Sequence, residues 1–173
     1  MIDLLSRDPI TVHVGMRTVI VPYAPAARWS GAVTGPQGLG GTLMRLTDDA
    51  MVAALRQGLM HGDLTADDLF TASHDLIKAA TGRSWWASAR LLGLGNDPRC
   101  LGHMVLAGVD PWSLTVGQWC AAVYTLYTRD RKPDDVFKFD VLVNAAPAGE
   151  VDEWGDDDYE TMVQAARSLP GMG

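Results

Sequence analysis

From Leu43 onward the apolar residues of this chain recur at helical spacing, and each run is cut from the next by residues that start or stop a helix. That punctuation constrains the fold most, because short amphipathic helices bury their apolar stripes only by packing together. Thr47 with Asp48 and Asp49 opens a run carrying Met51, Val52, Leu55 and Leu59, and His61-Gly62 closes it. Thr65 with Asp67 and Asp68 opens the next, which carries Leu69, Ala72, Leu76 and Ala79 or Ala80 and ends at Gly82. A hydroxyl followed by acids sets acceptors and negative charge against the free N–H groups of a helix start. Ser84 caps a third run with Trp85, Ala89 and Leu92 in step. Asn96-Asp97-Pro98 begins a fourth through Leu101, Val105 and Leu106 to Gly108, with proline at a first helical position. Ser113 or Thr115 caps a fifth with Trp119, Val123 and Leu126. Pro133 with Asp134-Asp135 begins a sixth through Val136, Phe137, Phe139 or Asp140, and Val143.

The N-terminal stretch has a different period. Ile10–Val14 and Thr18–Val21 are β-branched runs joined by Gly15-Met16-Arg17, which reads as a hairpin. Two strands alone are marginal in water, so this hairpin must pack on helices or pair with another chain. Pro22 ends the second strand, and Pro25 begins a short helix through Ala26-Ala27-Arg28-Trp29. The glycine-rich stretch Gly35–Gly41 lacks a following Gly-Lys-Ser/Thr and reads as a plain loop, not a phosphate cradle. Ala145–Gly149 is a hinge by composition, and Tyr159–Arg167 forms a last short helix stopped by Pro170-Gly171. No internal repeat is present. The expected fold is mainly α: an N-terminal β-hairpin followed by a compact array of five or six helices, with an acidic C-terminal segment. Residues 1–146 form the hairpin plus helical domain, and 147–173 the hinge, acidic segment and short C-terminal helix.

Charge is distributed unevenly. Seven of the 21 acids lie between Glu150 and Glu160 with no base among them, and the other 14 balance the 14 lysines and arginines. The whole net charge of -7 therefore resides in one short segment. Such a block prefers water or a basic partner, and Asp156, Asp157 and Asp158 are its candidate docking residues. A neutral body without a basic stripe argues against nucleic-acid binding, since phosphate neutralisation supplies most of that affinity. Arg129, Arg131 and Lys132 are interrupted by Asp130 and followed by Asp134-Asp135, a helix-end pattern and not a phosphate track. No apolar run is long enough to span a bilayer, and nothing at the N-terminus resembles a signal peptide. Cys100 and Cys120 are expected as free thiols in a reducing compartment.

No constellation demands catalysis. Cys100-x-x-His103 puts two ligands on one helix face, but His61, His74 and Cys120 complete no metal-site spacing. His74-Asp75 diverge on a helix, His61-x-Asp63 sits at a helix end, and there is no Gly-x-Ser-x-Gly elbow. The paired acids Asp48-Asp49 and Asp67-Asp68 are accounted for by helix N-termini, without glycoside chemistry. No catalytic residue, cofactor or metal is therefore expected, and an enzyme using His74 or His103 is the third hypothesis. Six tryptophans are many for 173 residues. Trp85 and Trp86 point about 100° apart on a helix, so they cannot share one narrow face. Trp86 and Trp112 are the candidate apolar anchors for a partner.

Tyr23–Trp29, Thr81–Leu91 with its Gly-Arg-Ser-Trp-Trp stretch, and Gly108–Pro111 with Ser113–Trp119 together resemble small proteins from the tail-gene region of actinobacterial tailed phages. The resemblance covers roughly Ile10 to Ala146. Those proteins are described as tail assembly chaperones or minor tail-module components. The resemblance implies a non-enzymatic phage tail assembly protein that contacts tape-measure or tail-tube proteins in the infected host's cytoplasm, or that stays in the virion. It carries over no catalytic residue. The chain departs from many such chaperones in confining its acids to 150–160. The alternative is a virion structural subunit of the tail or head–tail joining region, a homo-oligomer built through heterologous interfaces.

Overall fold

A computed structural model describes residues 6–35 and 39–147. Its described residues form a mainly helical fold with an N-terminal antiparallel hairpin. Strand β1 (Ile10–Val14) pairs with β2 (Arg17–Val21) so that Ile10 faces Val21 and Val14 faces Arg17. The loop is Gly15-Met16 alone, and Arg17 belongs to the second strand. Gly15 has φ +56°, which a two-residue hairpin loop requires and which glycine adopts without strain. Val12, Val14, Val19 and Val21 point inward and are buried, whereas Thr11, His13, Thr18 and Ile20 face out. The inward face rests on the fourth helix, which supplies the packing that two strands lack.

Eight α-helices follow among the described residues: α1 (Ala26–Val33), α2 (Thr42–Leu46), α3 (Asp49–His61), α4 (Ala66–Thr81), α5 (Trp85–Gly95), α6 (Pro98–Leu106), α7 (Val116–Thr128) and α8 (Pro133–Asn144). The six capped runs of the sequence become α3 to α8, and α1 is the short helix after Pro25. The expected count of five or six is exceeded because α1 and α2 also form. The five-residue α2 was not expected. Its Leu43 and Leu46 are fully buried, so tertiary packing stabilises a helix too short to form alone. The hinge from Ala148 onward, the acidic run and the expected last helix lie outside the described residues.

The caps follow the expected logic with one correction. Asp48, and not Thr47, accepts from the Met51 N–H to start α3, while the Thr47 hydroxyl donates back to Leu43. Thr65 and Asp68 form a reciprocal capping box, as do Thr115 and Gln118. Gly62 and Gly82 end α3 and α4 in the left-handed conformation. Helix α4 runs through the middle of the molecule, burying Leu69, Ala72, Leu76 and Ile77 against the hairpin, α2, α5 and α7.

Two helix faces differ from expectation. In α5 the buried residues are Trp86, Ala87, Leu91 and Leu92, with Trp85 and Ala89 half-buried, so the inward face is rotated from the Trp85–Ala89 line. In α6 the buried residues are Cys100 and Met104, leaving Val105 and Leu106 in solvent. Both helices are short and apolar on more than one side, so periodicity alone does not orient them.

Helix α8 ends on a clasp from α5. The Arg90 guanidinium donates to the carbonyls of Leu142, Val143 and Ala145, and the Trp86 indole N–H donates to Asn144 at 2.9 Å. The carbonyls that a helix C-terminus leaves free thus find donors at i and i+4 of α5. An Arg90→Met variant keeps the stem but not the donors. It should lose about 1.5–3 kcal/mol of stability in urea denaturation, and amide exchange should quicken first at the end of α8. Unchanged exchange there would refute the clasp.

Candidate interaction surface

Three of the large apolar side chains exposed on the described surface fall close together in the sequence. Val105 and Leu106 at the end of α6 are 60% and 87% exposed, and Trp112 in the following turn is 60% exposed. The turn Pro111–Ser113 is a single 3-10 turn, set by the Asp110 carboxylate accepting from the Trp112 N–H and by the Ser113 hydroxyl donating to the Asp110 carbonyl. The turn packs against both α1 and α6. The Trp112 ring lies 6.5 Å from that of Trp119, tilted by 44°, so its inner edge rests on a buried ring while the rest meets solvent. An aromatic fixed in this way offers contact area at little entropic cost.

Trp86 does not serve as a surface anchor. It is 5% exposed and its only polar atom is bound to Asn144, so its ring and N–H are both used in joining α5 to α8. The adjacent Trp85 packs edge-on to it at 6.0 Å. Asp156, Asp157 and Asp158 lie outside the described residues. The hairpin offers a second contact element, since each strand of the pair has one edge without a strand neighbour. Exposed Ile20 and Met16 add apolar area on its outer side.

The residues weighed for chemistry are dispersed. His74 on α4 is 3.8 Å from its neighbour Asp75 and 6.4 Å from the Trp86 ring. Cys120 is buried in α7, and His61 is the last residue of α3. Among the described residues no three of His, Cys, Asp or Glu converge as a metal would need. Cys100 and His103 do share a cleft of about 370 Å³, together with Arg99, Leu126, Tyr127 and Arg129–Arg131. Burial and the negative charge of Asp97 push the Cys100 thiol above its ordinary value. An imidazole-paired nucleophile needs the opposite shift. A second cleft of about 240 Å³ lies between the hairpin's ends, α1 and the start of α7, lined by Asp8, Tyr23, Trp29 and Thr115 among others. It contains no thiol or imidazole.

Tyr124 is the most strongly engaged polar side chain of the helical face. Its hydroxyl donates to Asp140 at 2.6 Å and its ring carries the Arg83 guanidinium at 4.9 Å. The bond to Asp140, then burial, raises the phenol above its usual range. The Tyr124–Asp140 bond joins α7 to α8. No helix among the described residues is long and apolar enough to cross a membrane. Comparison of the chain with protein-family models, curated proteins and solved structures finds no match.

Proposed function

We propose that this chain is a non-enzymatic phage tail assembly protein, similar in role to a tail assembly chaperone, that works by contact with tape-measure or tail-tube proteins. The observation that carries a contact role is the exposure of Trp112, Val105 and Leu106 on a body with a closely packed core. Exposed apolar groups of this kind mark interaction sites in a chain with a sound core. The tail-assembly assignment itself is supported by the resemblance of the Tyr23–Trp29, Thr81–Leu91 and Gly108–Trp119 stretches. The free hairpin edge adds a place for a client strand, and the acidic run adds steering toward a basic surface.

Co-expression with the products of the adjoining tail genes tests the reading. The tape-measure or tail-tube protein should co-purify, and Trp112→Ala should weaken its capture by roughly 30-fold, the effect of losing an aromatic hot spot of about 2 kcal/mol. Ring-sized assembly of the purified chain alone, without a client, would instead identify a virion subunit. Full capture by the Trp112→Ala protein would place the contact elsewhere.

A further inference from the structure

We propose that the cleft formed by α6 and the turn between α7 and α8 is a docking site for this chain's own acidic segment, residues 150–160. The cleft is about 370 Å³, and three arginines are among its lining residues. Arg99 comes from the first turn of α6, and Arg129 and Arg131 from the turn after α7, with Lys132 following directly. Arg129 is paired with its neighbour Asp130 at 3.4 Å. Asp97 also lies close enough to act on Cys100 and Tyr127. Three arginines thus line the cleft against one lining carboxylate, Asp130, with Asp97 nearby, and no ion pair joins Arg99 or Arg131 to a carboxylate among the described residues. The floor is apolar: Leu126 and Tyr127, the latter stacked on Phe139 with ring centroids 5.4 Å apart.

Three features make the acidic segment the fitting occupant. Outside residues 150–160 the chain is electrically balanced, so this run supplies the uncompensated negative charge that an unpaired cluster of arginines would attract. The segment also carries Trp154 and Tyr159, aromatic groups suited to the Leu126–Tyr127 floor. Reach is sufficient. Helix α8 starts beside the cleft at Pro133 and, being 12 residues long, ends about 18 Å away along its axis. From Pro147 to Asp156 an extended chain spans about 30 Å. Tethering over so short a distance gives effective concentrations on the order of millimolar, above those at which a separate copy would compete. The docking does not depend on the tail-assembly reading. Where that reading holds, a client with a basic surface would have to displace the cleft to obtain the acidic run.

Amide resonances of residues 150–160 in the isotope-labelled full chain, compared with a free peptide of the same sequence, test this. At low salt they should be displaced from the peptide's values. They should return to those values at about 0.5 M NaCl, where the Debye length is only a few ångström. The double variant Arg99→Glu/Arg131→Glu should produce the same return at low salt. Both side chains are exposed, and unchanged resonances of Trp119 and Leu91 report that the variant is folded. Coincidence with the peptide at low salt would overturn the proposal. So would a displacement indifferent to the arginine changes, which puts the segment elsewhere, or one that fades on tenfold dilution, which makes the occupant a second copy.

Discussion

Trp119→Ala should cost about 3–5 kcal/mol of folding stability, the range for removing a large buried aromatic. Trp119 is fully buried and meets α5 at a point where no other side chain fits. A Cβ added at Gly95 would lie 2.2 Å from the Trp119 indole nitrogen and 2.8 Å from a Val123 methyl. The two helices therefore approach through a glycine, with the indole occupying the place of a side chain. The complementary substitution, Gly95→Ala, should cost about 1–3 kcal/mol from overpacking. The two changes should not add, because alanine at 119 removes the atoms that alanine at 95 would strike. Urea denaturation of the double-mutant cycle measures this. Additive losses would show that α5 and α7 do not meet through this pair. The indole N–H of Trp119 is buried without a hydrogen-bond partner, so part of its packing gain is offset by desolvation.

Alkaline pH should bring a second large loss. Burial pushes the Cys120 thiol up from 9.0 to about 12, against the opposing pull of the Arg83 charge. A group whose folded value is raised contributes stability fully below its unfolded value and loses it as pH climbs toward the folded one. The window is therefore pH 9 to 12. Across it the neutral thiol's contribution falls by about 4 kcal/mol, since the unfolded chain ionises first. Other groups titrate there as well, Tyr124 and Tyr127 among them, both raised in the fold. The comparison that isolates the thiol is wild type against Cys120→Ala. The wild-type unfolding free energy should drop more steeply above pH 9, and the two curves should converge or cross. Parallel curves would show that Cys120 ionises as freely in the fold as in the open chain.

The local rules of helix starts and stops made much of this architecture readable from sequence. Thr65 with Asp67-Asp68, Ser84, and Asp97 with Pro98 each declare a boundary that stands, and of Ser113 and Thr115 it is Thr115 that caps α7. What sequence reading missed was decided at long range. Helix α2 has only five residues, fewer than periodicity needs, and it exists because Leu43 and Leu46 find the core. Which of Trp85 and Trp86 turns inward depends on Asn144, 58 residues away, which takes the Trp86 N–H. The exposed position of Val105 and Leu106 follows from the choice of Cys100 and Met104 as the α6 core face, and nothing in the local pattern favours one stripe over the other. Trp112 is marked as an anchor in the sequence only by the enrichment of tryptophan at hot spots, and its exposure follows from the turn Pro111–Ser113. The Arg99–Arg131 cleft was hidden for a related reason: its arginines are 32 positions apart, and only the packing of α6 on α7 joins them.

The clasp on the last turn of α8 also has a mechanical meaning. Whatever grips the chain beyond Pro147 pulls on a helix end already moored to α5 at Leu142, Val143, Asn144 and Ala145. Tension would be carried through Trp86 and Arg90 into α5 and onward to the Gly95–Trp119 junction, so α8 resists being peeled from its end. A pull on that end is thereby shared between two helices.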